Sequence, residues 1–490
     1  MTELMIISGL VLIICITSTK VLYKFGVPML LIFIVLGMLF GSDGLVGIYF
    51  DNYELASKLS SLGLVFIMFY GGFGTNWKMA KPIAIPSVLM SSLGVVITAG
   101  LTGLFCHLVI KTTLLEGLLI GAIVASTDAA SVFAVLRAQK LNLKGSLASL
   151  LEVESGSNDP IAYMMTLIVL TMMKSSGELS LSTVAPIILM QIIFGLTIGF
   201  LFAKGTVYIL RYSNFEVEVF YTIFVTAVAI LSYSCSEFLG GNGYLSVYIA
   251  GIIIGNSKIP KKKSMFHFFD GISWIMQIAL FFMLGLLSFP SRLHYITVTS
   301  VSISVFMILI ARPLSTFIIL SPFKFTIKEK LFISWVGLRG AASVVFAIFA
   351  VTYGVNIEND IFHIIFFIAL FSVAIQGTLI PKVANLLDLV DTEDESSVLK
   401  TFTDYTGEIN TDLLEVSITE DSQWVDKTIM DSNIPEEILI VMIKRDNKIL
   451  VPKGSTLIKG GDTLVLSGNN IKSLIWKIEN RIINNGVQFL

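Results

Sequence analysis

Apolar runs of about 20 residues recur from the first residues of the chain to about residue 387, each long enough to cross roughly 30 Å of hydrocarbon at about 1.5 Å per residue. In lipid the backbone can satisfy its own polar groups only as helices or closed barrels, and runs of this length call for helices. With 55% hydrophobic and 14% charged residues and a mean hydropathy of +0.85, the bulk of the chain belongs in a membrane. The pattern predicts thirteen spans, near 4–19, 27–48, 59–77, 85–109, 113–136, 147–173, 183–203, 217–236, 243–257, 270–289, 296–320, 331–352 and 361–381. Glu237 and the run Gly240-Gly241-Asn242-Gly243 leave 217–257 open to two readings, an outer turn or a broken helix. The first run starts at Leu4 with no basic segment before it and no cleavage signature after it, and it reads as a retained helix.

An odd number of spans puts the two ends on opposite sides, and the short loops decide which side is which. One alternating set holds seventeen Lys and Arg residues, Lys20, Lys24, Lys140, Lys261, Lys262 and Lys263 among them; the other holds Lys58, Lys111, Lys174 and Arg292. That asymmetry predicts an outside N-terminus and a cytoplasmic tail. A formal net charge of -2 gives no footprint for nucleic acid. Cys15, Cys106 and Cys235 are isolated in apolar stretches and read as small core residues.

Residues 1–387 therefore read as an all-α polytopic membrane domain. Residues 388–410, with Asp388, Asp391, Glu393, Asp394 and Glu395, read as an acidic linker, and 411–490 as a small α/β cytoplasmic domain. Short β-prone runs at Leu414–Ile418, Ile438–Ile443, Ile449–Val451 and Thr463–Leu466 alternate with turn signals at Asp446-Asn447 and Gly460-Gly461-Asp462.

Polar side chains inside a span cost several kcal/mol unless they line a cavity or find partners, so each one marks a functional candidate. The fifth span carries Ser126-Thr127-Asp128. The sixth carries Glu154-Ser155-Gly156-Ser157-Asn158-Asp159-Pro160, and the twelfth Gly337-Leu338-Arg339-Gly340. Glu154 and Asp159 are five residues apart and point about 140° from one another on a helix, so they cannot serve one point. Asp159 reads as the exchangeable carboxylate, and Glu154 as the partner of Arg339 in a structural ion pair. Asn158 adds an oxygen or amide without a second charge, which predicts one monovalent cation or one proton at Asp159 and a stoichiometry near one for one. The competing reading is that Asn158 and Asp159 only bond between helices.

Thr127-Asp128 is followed by Ala129-Ala130-Ser131-Val132, and Arg339-Gly340 by Ala341-Ala342-Ser343-Val344. Seven spans apart, the copies would run in opposite directions through the membrane, as an inverted repeat requires. Arg312, before Pro313 in the eleventh span, reads as an accessory cavity or core cation. His107, His267, His294 and His363 lie near predicted span ends and read as interfacial residues, Lys261 to Lys263 as a topology determinant, and Asp43 as turn chemistry.

Ser-Thr-Asp in one span, Glu-x-x-x-Asn-Asp in the next and Gly-Leu-Arg-Gly late in the chain together resemble the cation/proton antiporter superfamily, in its NhaP and NHE branch. The resemblance covers nearly all of residues 1 to 390. It implies a thirteen-span inverted-repeat fold, a dimerisation domain and a mobile core domain, crossed broken helices at the fifth and twelfth spans, and elevator-type alternating access. Carried over by position, Asp159 resembles the ion- and proton-binding carboxylate, Asn158 its neighbour, Thr127 and Asp128 the broken-helix residues, Ser155 a ligand, and Glu154 with Arg339 the stabilising pair. The Asn-Asp form is similar to that of the electroneutral members. The tail resembles the C-terminal half of RCK regulatory modules (the TrkA-C type), on Val451-Pro452-Lys453-Gly454-Ser455-Thr456 and Gly460-Gly461-Asp462-Thr463. Related tails imply a homodimer and, in some members, a cyclic-di-AMP ligand; they also tilt the ion choice toward potassium.

The leading expectation is potassium/proton exchange in a prokaryotic plasma membrane, regulated by the tail, with no enzymatic activity and no cofactor. Sodium/proton exchange is the close alternative. A channel gated by an RCK-like tail would need a filter loop such as T-V-G-Y-G, which the chain lacks. A sensor without transport leaves the intramembrane Asp, Glu and Arg unexplained.

Overall fold

A computed structural model describes residues 9–17, 29–139, 141–175, 181–213, 215–390, 398–402, 412–419, 422, 424–432, 434–435, 438–445 and 448–468. Lys20, Lys24, Lys140, the acidic residues from Asp391 to Glu395 and the Asp446-Asn447 turn lie outside the described residues. The chain divides into two compact units, Met1–Val390 and Asp391–Leu490.

The first unit is helical. Its helices are α1 over 9–17, α2 Met29–Phe40, α3 Tyr53–Gly74, α4 Trp77–Ile110, α5 Leu114–Val124, α6 Ala129–Ala138, α7 Leu147–Lys174 and α8 Leu181–Tyr212. They continue with α9 Glu218–Phe238, α10 Gly243–Gly255, α11 Lys262–Leu287, α12 Pro290–Leu320, α13 Ile327–Trp335, α14 Ala341–Thr352 and α15 Ile361–Leu386. Among the described residues, seven helices are long and apolar enough to cross a membrane. Polar caps start several of them: Asn52 accepts from Leu55 N–H at 2.8 Å, and Thr326 forms a capping box with Glu329.

Two predicted spans are interrupted. The run 113–136 becomes α5 and α6 around a break at 125–128, and 331–352 becomes the end of α13 and α14 around a non-helical link at 336–340. Between α9 and α10 the chain makes a turn, with Gly240 at φ +76° and Asn242 capping Leu245 N–H at 3.0 Å, so of the two readings of 217–257 the turn is found. Asp43 sits in the turn after α2 and accepts from Ser291 N–H at 2.9 Å. His363 departs from the interfacial reading. It is fully buried, its Nδ1 lies 2.8 Å from Asp360, and its Nε2 accepts from Phe289 N–H at 3.1 Å. Cys15 and Cys106 are buried and Cys235 is half-buried.

Close helix contacts use small residues. A Cβ on Gly72 would fall 2.4 Å from Tyr248 O and one on Gly251 2.5 Å from Phe69 O, so α3 and α10 touch backbone to backbone. Buried apolar residues of α6, α13, the first turns of α4 and α7 and the last turns of α12 and α15 form one packed cluster, and buried apolar residues of the rest of the bundle form a larger one. Lys144 N–H donates to Leu389 O at 2.9 Å, which ties the loop before α7 to the residues after α15.

The second unit is an antiparallel sheet of β1 Val398–Phe402, β2 Asp412–Ser417, β3 Ile438–Arg445, β4 Lys448–Leu450 and β5 Thr463–Gly468, in the order β1-β2-β5-β3-β4. Strand β1 falls where an acidic linker was expected; it pairs with β2 through Lys400, Thr401 and Phe402. In β3 the buried side chains are Ile438, Ile440 and Ile443, and the alternation slips where the register shifts between Ile440 and Met442. Buried Asp462 receives both Arg445 Nε at 2.7 Å and Arg445 Nη2 at 2.6 Å, a bidentate pair that pins the turn before β5.

Candidate functional site

The two breaks meet. Each leaves two helix ends with unpaired backbone groups inside the bundle, and several of these groups find a partner on the opposing break or on a neighbouring helix. Asp128 N–H donates to Leu338 O at 2.8 Å, so the two links pair directly. Arg339 Nη1 donates to Ser126 O at 2.8 Å, Ser155 Oγ to Thr127 O at 2.8 Å, and Gln376 Nε2 to Trp335 O at 3.0 Å. Ser372 Oγ accepts from Arg339 N–H at 3.0 Å. Ser372 and Gln376 come from a π turn, Ser372–Gly377, within α15, whose extra residue per turn brings both polar side chains toward the break. Gly340 must lack a side chain, because a Cβ there would lie 2.2 Å from Asp128 Oδ2.

Helix α7 passes beside this junction. Ser126 Oγ donates to Asp159 Oδ1, and Asn158 Nδ2 donates to Thr127 Oγ1. Asn158 is fully buried, and among the described residues its Oδ1 has no hydrogen-bond partner. Pro160 has no N–H to give to the preceding turn, and Asn242 Nδ2 donates to the Pro160 carbonyl at 2.7 Å. Asp128 caps α6 by accepting from Ser131 N–H at 3.2 Å. A cavity of about 470 Å³ is lined by Thr127, Asp128, Ser155 and Asp159, and also by Asn76, Glu152 and Asp270.

Four of the residues singled out in the sequence, Thr127, Asp128, Ser155 and Asp159, thus share one cavity, with Asn158 directly behind it. Their oxygens, next to the amino end of α6, make a polar, oxygen-rich pocket of the kind that suits a hard monovalent cation. The expected pairing of Glu154 with Arg339 is not what the structure holds. Glu154 pairs with Arg312, their side chains 1% and 4% exposed, while Arg339 serves the Ser126 carbonyl. Arg312 follows the π turn Met307–Ala311, and Gly337 leaves room for its guanidinium, since a Cβ there would sit 2.9 Å from Nε. Arg339 stays within Coulombic range of both charges.

Ser126, marked in the sequence as an intramembrane polar residue, is the donor to Asp159, and residues given no role from the sequence also build the site: Ser372 and Gln376 as partners of the second link, and Glu152, Asp270 and Gln277 on the cavity wall. Gln277 and Asp270 were visible as polar residues in the tenth span and its edge. Ser372 and Gln376 carried no signal beyond polarity.

The family profile described as sodium/hydrogen exchanger, transmembrane, matches residues 9–386, and the TrkA-C domain profile matches residues 413–470. The K(+)/H(+) antiporter NhaP of Alkalimonas amylolytica is 34% identical over 464 residues, 94% of this chain and 80% of its own. The K(+)/H(+) antiporter NhaP2 of Shewanella oneidensis is 34% identical over 456 residues, covering 92% and 78%. Na(+)/H(+) antiporter 1 of Methanocaldococcus jannaschii is 27% identical over 366 residues, covering 72% and 83%. In fold, the chain is similar to the solved structure of the sodium proton antiporter MjNhaP1 from that organism at pH 8, with a TM-score of 0.67 and 24% identity over 77% of this chain and 100% of that one.

Proposed function

The chain belongs to the sodium/hydrogen exchanger family, and from that premise we propose that it exchanges potassium for protons one for one across a prokaryotic plasma membrane, cation and proton competing for Asp159. It is a cation/proton antiporter, a secondary transporter and not an enzyme. The observation that carries the mechanism is the junction of the two breaks, where Asp159 is held by Ser126 at the end of a cavity. A single carboxylate cannot hold a proton and a cation together, and Asn158 beside it brings no second charge.

Potassium is favoured because the relatives at 34% identity are K(+)/H(+) antiporters matched over 464 and 456 residues, lengths that must extend past residue 390. The sodium relative matches only 366 residues. Sodium remains the second reading. Thirteen spans, the fifth and twelfth broken, are in keeping with the helices observed. The inverted repeat gains support from the Ala-Ala-Ser-Val copies, which open α6 and α14, the helices after each break. Elevator-type movement, a homodimer, an outside N-terminus and a cytoplasmic tail that binds a cyclic-di-AMP-type ligand complete the proposal. In its site, Asp159, Asn158, Ser155, Thr127 and Asp128 handle the ion, Glu154 with Arg312 forms the structural pair, and Arg339 holds the break.

Dequenching of a pH dye in everted vesicles, compared across potassium, sodium, lithium and rubidium, tests the ion. Potassium should drive proton release at the lowest concentration; dequenching by sodium and lithium alone would establish the second reading.

A further inference from the structure

Beyond Asp159 the cavity stops. Its lining includes exposed Asn76 and Met79 as well as Ser155 and Asp159, and on the next two turns of α7 Ala162, Tyr163, Met164 and Thr166 are buried. Tyr163 lies four residues after Asp159, on the same helix face and about 6 Å further along the axis. Its ring meets Tyr244 edge-on at 4.9 Å and packs against Phe346 and Phe349 at 5.7 and 5.5 Å, and Tyr233 lies on Tyr244 at 5.1 Å. These rings form an aromatic layer behind the ion site.

Glu237 meets that layer at the Tyr163 hydroxyl. Its Oε2 accepts from Tyr163 OH at 3.4 Å and its Oε1 from Gly243 N–H at 2.8 Å. It occupies the last turn of α9, beside exposed Phe238, Leu239 and Gly240, so the surface opens directly beyond it. Among the described residues no Lys or Arg pairs with it. A half-buried carboxylate without a cation is costly and attracts one. The 3.4 Å contact to Tyr163 is long for an O–H···O bond and therefore weak.

We propose that Tyr163 and Glu237 form the closed gate of a second access path to Asp159, and that Glu237 is the first carboxylate a monovalent cation meets on that side. The proposal rests on alternating exchange at Asp159. Its rival is that Glu237 only caps α10 through Gly243 N–H, and a glutamine can do that equally well.

The full-length chain is assayed in right-side-out and in everted vesicles, with potassium applied to each face in turn. Labelling of Leu239→Cys by an impermeant maleimide identifies the preparation that exposes the 238–240 turn. From that face Glu237→Gln should raise the half-saturating potassium concentration roughly threefold, because one attracting charge is lost, and from the other face leave it unchanged. Tyr163→Phe, which removes the hydroxyl and keeps the ring, should likewise change the value at that face alone, and it decides the matter if Glu237→Gln does not reach the membrane. No change at either face, or equal changes at both, overturns the gate while exchange by the wild type still upholds the exchanger reading. A wild type without exchange overturns both.

Discussion

Asp159 carries the exchange reading because of what surrounds it. Ser126 donates to one of its oxygens, Asn158 brings no charge, and the cavity ends there. Asp159→Asn keeps the shape and removes the charge, so it should abolish exchange while melting near the wild type; vesicle dequenching and thermal denaturation in detergent check both halves. Lowering the pH should raise the half-saturating cation concentration of the wild type, since proton and cation exclude one another at one carboxylate. The Glu154 and Arg312 pair lies farther from water, and removing one partner strands the other charge at a cost of about 3–5 kcal/mol. A double-mutant cycle of Glu154→Gln and Arg312→Met should show strong coupling; losses that simply add would mean the ion pair contributes little. Arg339 in place of Arg312 should give the smaller coupling energy, because its hydrogen bond goes to a carbonyl.

Helix breaks are costly in a membrane, and this chain satisfies two of them against one another. The pairing of Asp128 N–H with Leu338 O, and of Arg339 with Ser126 O, means that neither break is complete alone. Gly340→Ala would drive a methyl into the Asp128 carboxylate, and overpacking of this kind costs roughly 1–3 kcal/mol. The variant should lose thermal stability and most of its exchange; wild-type melting and transport would show that the two links separate freely. The π turns Met307–Ala311 and Ser372–Gly377 were not legible in the sequence, because an extra residue in a helical turn is imposed by contacts made after packing, here those of Arg312, just after the first turn, with Glu154 and those of Ser372 and Gln376 with the second break.

Across the whole molecule, the residues of the ion site all lie within Met1–Val390, and the strands form a second unit with its own core of Val416, Ile440, Ile443, Leu464 and Leu466. Truncation after Val390 should therefore leave antiport measurable with an altered response to pH or to a small ligand, since a ligand on the tail acts only by favouring one transporter state over another. A truncated protein that reaches the membrane folded yet exchanges nothing would make the tail part of the transport machinery. The likeness of the chain to K(+)/H(+) antiporters over more than 450 residues suits a tail that belongs with the transporter.

Much of this was legible in one dimension. Lipid admits only segments that satisfy their own backbone, so apolar run length placed the helices, and polar residues inside those runs marked Thr127, Asp128, Ser155, Asn158 and Asp159, which now share one site. The strands β2 to β5 followed from β-prone runs and their turns; β1 did not, because acidic neighbours hid it. Tertiary structure alone decided which arginine meets Glu154. Arg312 and Arg339 are both buried cations at similar depth, and sequence carries no measure of which helix turns its face toward α7. The same holds for Tyr163 and Glu237, 74 residues apart, whose meeting depends on how α7 and α9 cross. Hydrophobicity is a property each residue has by itself, whereas a contact is a relation that exists only once the helices have packed.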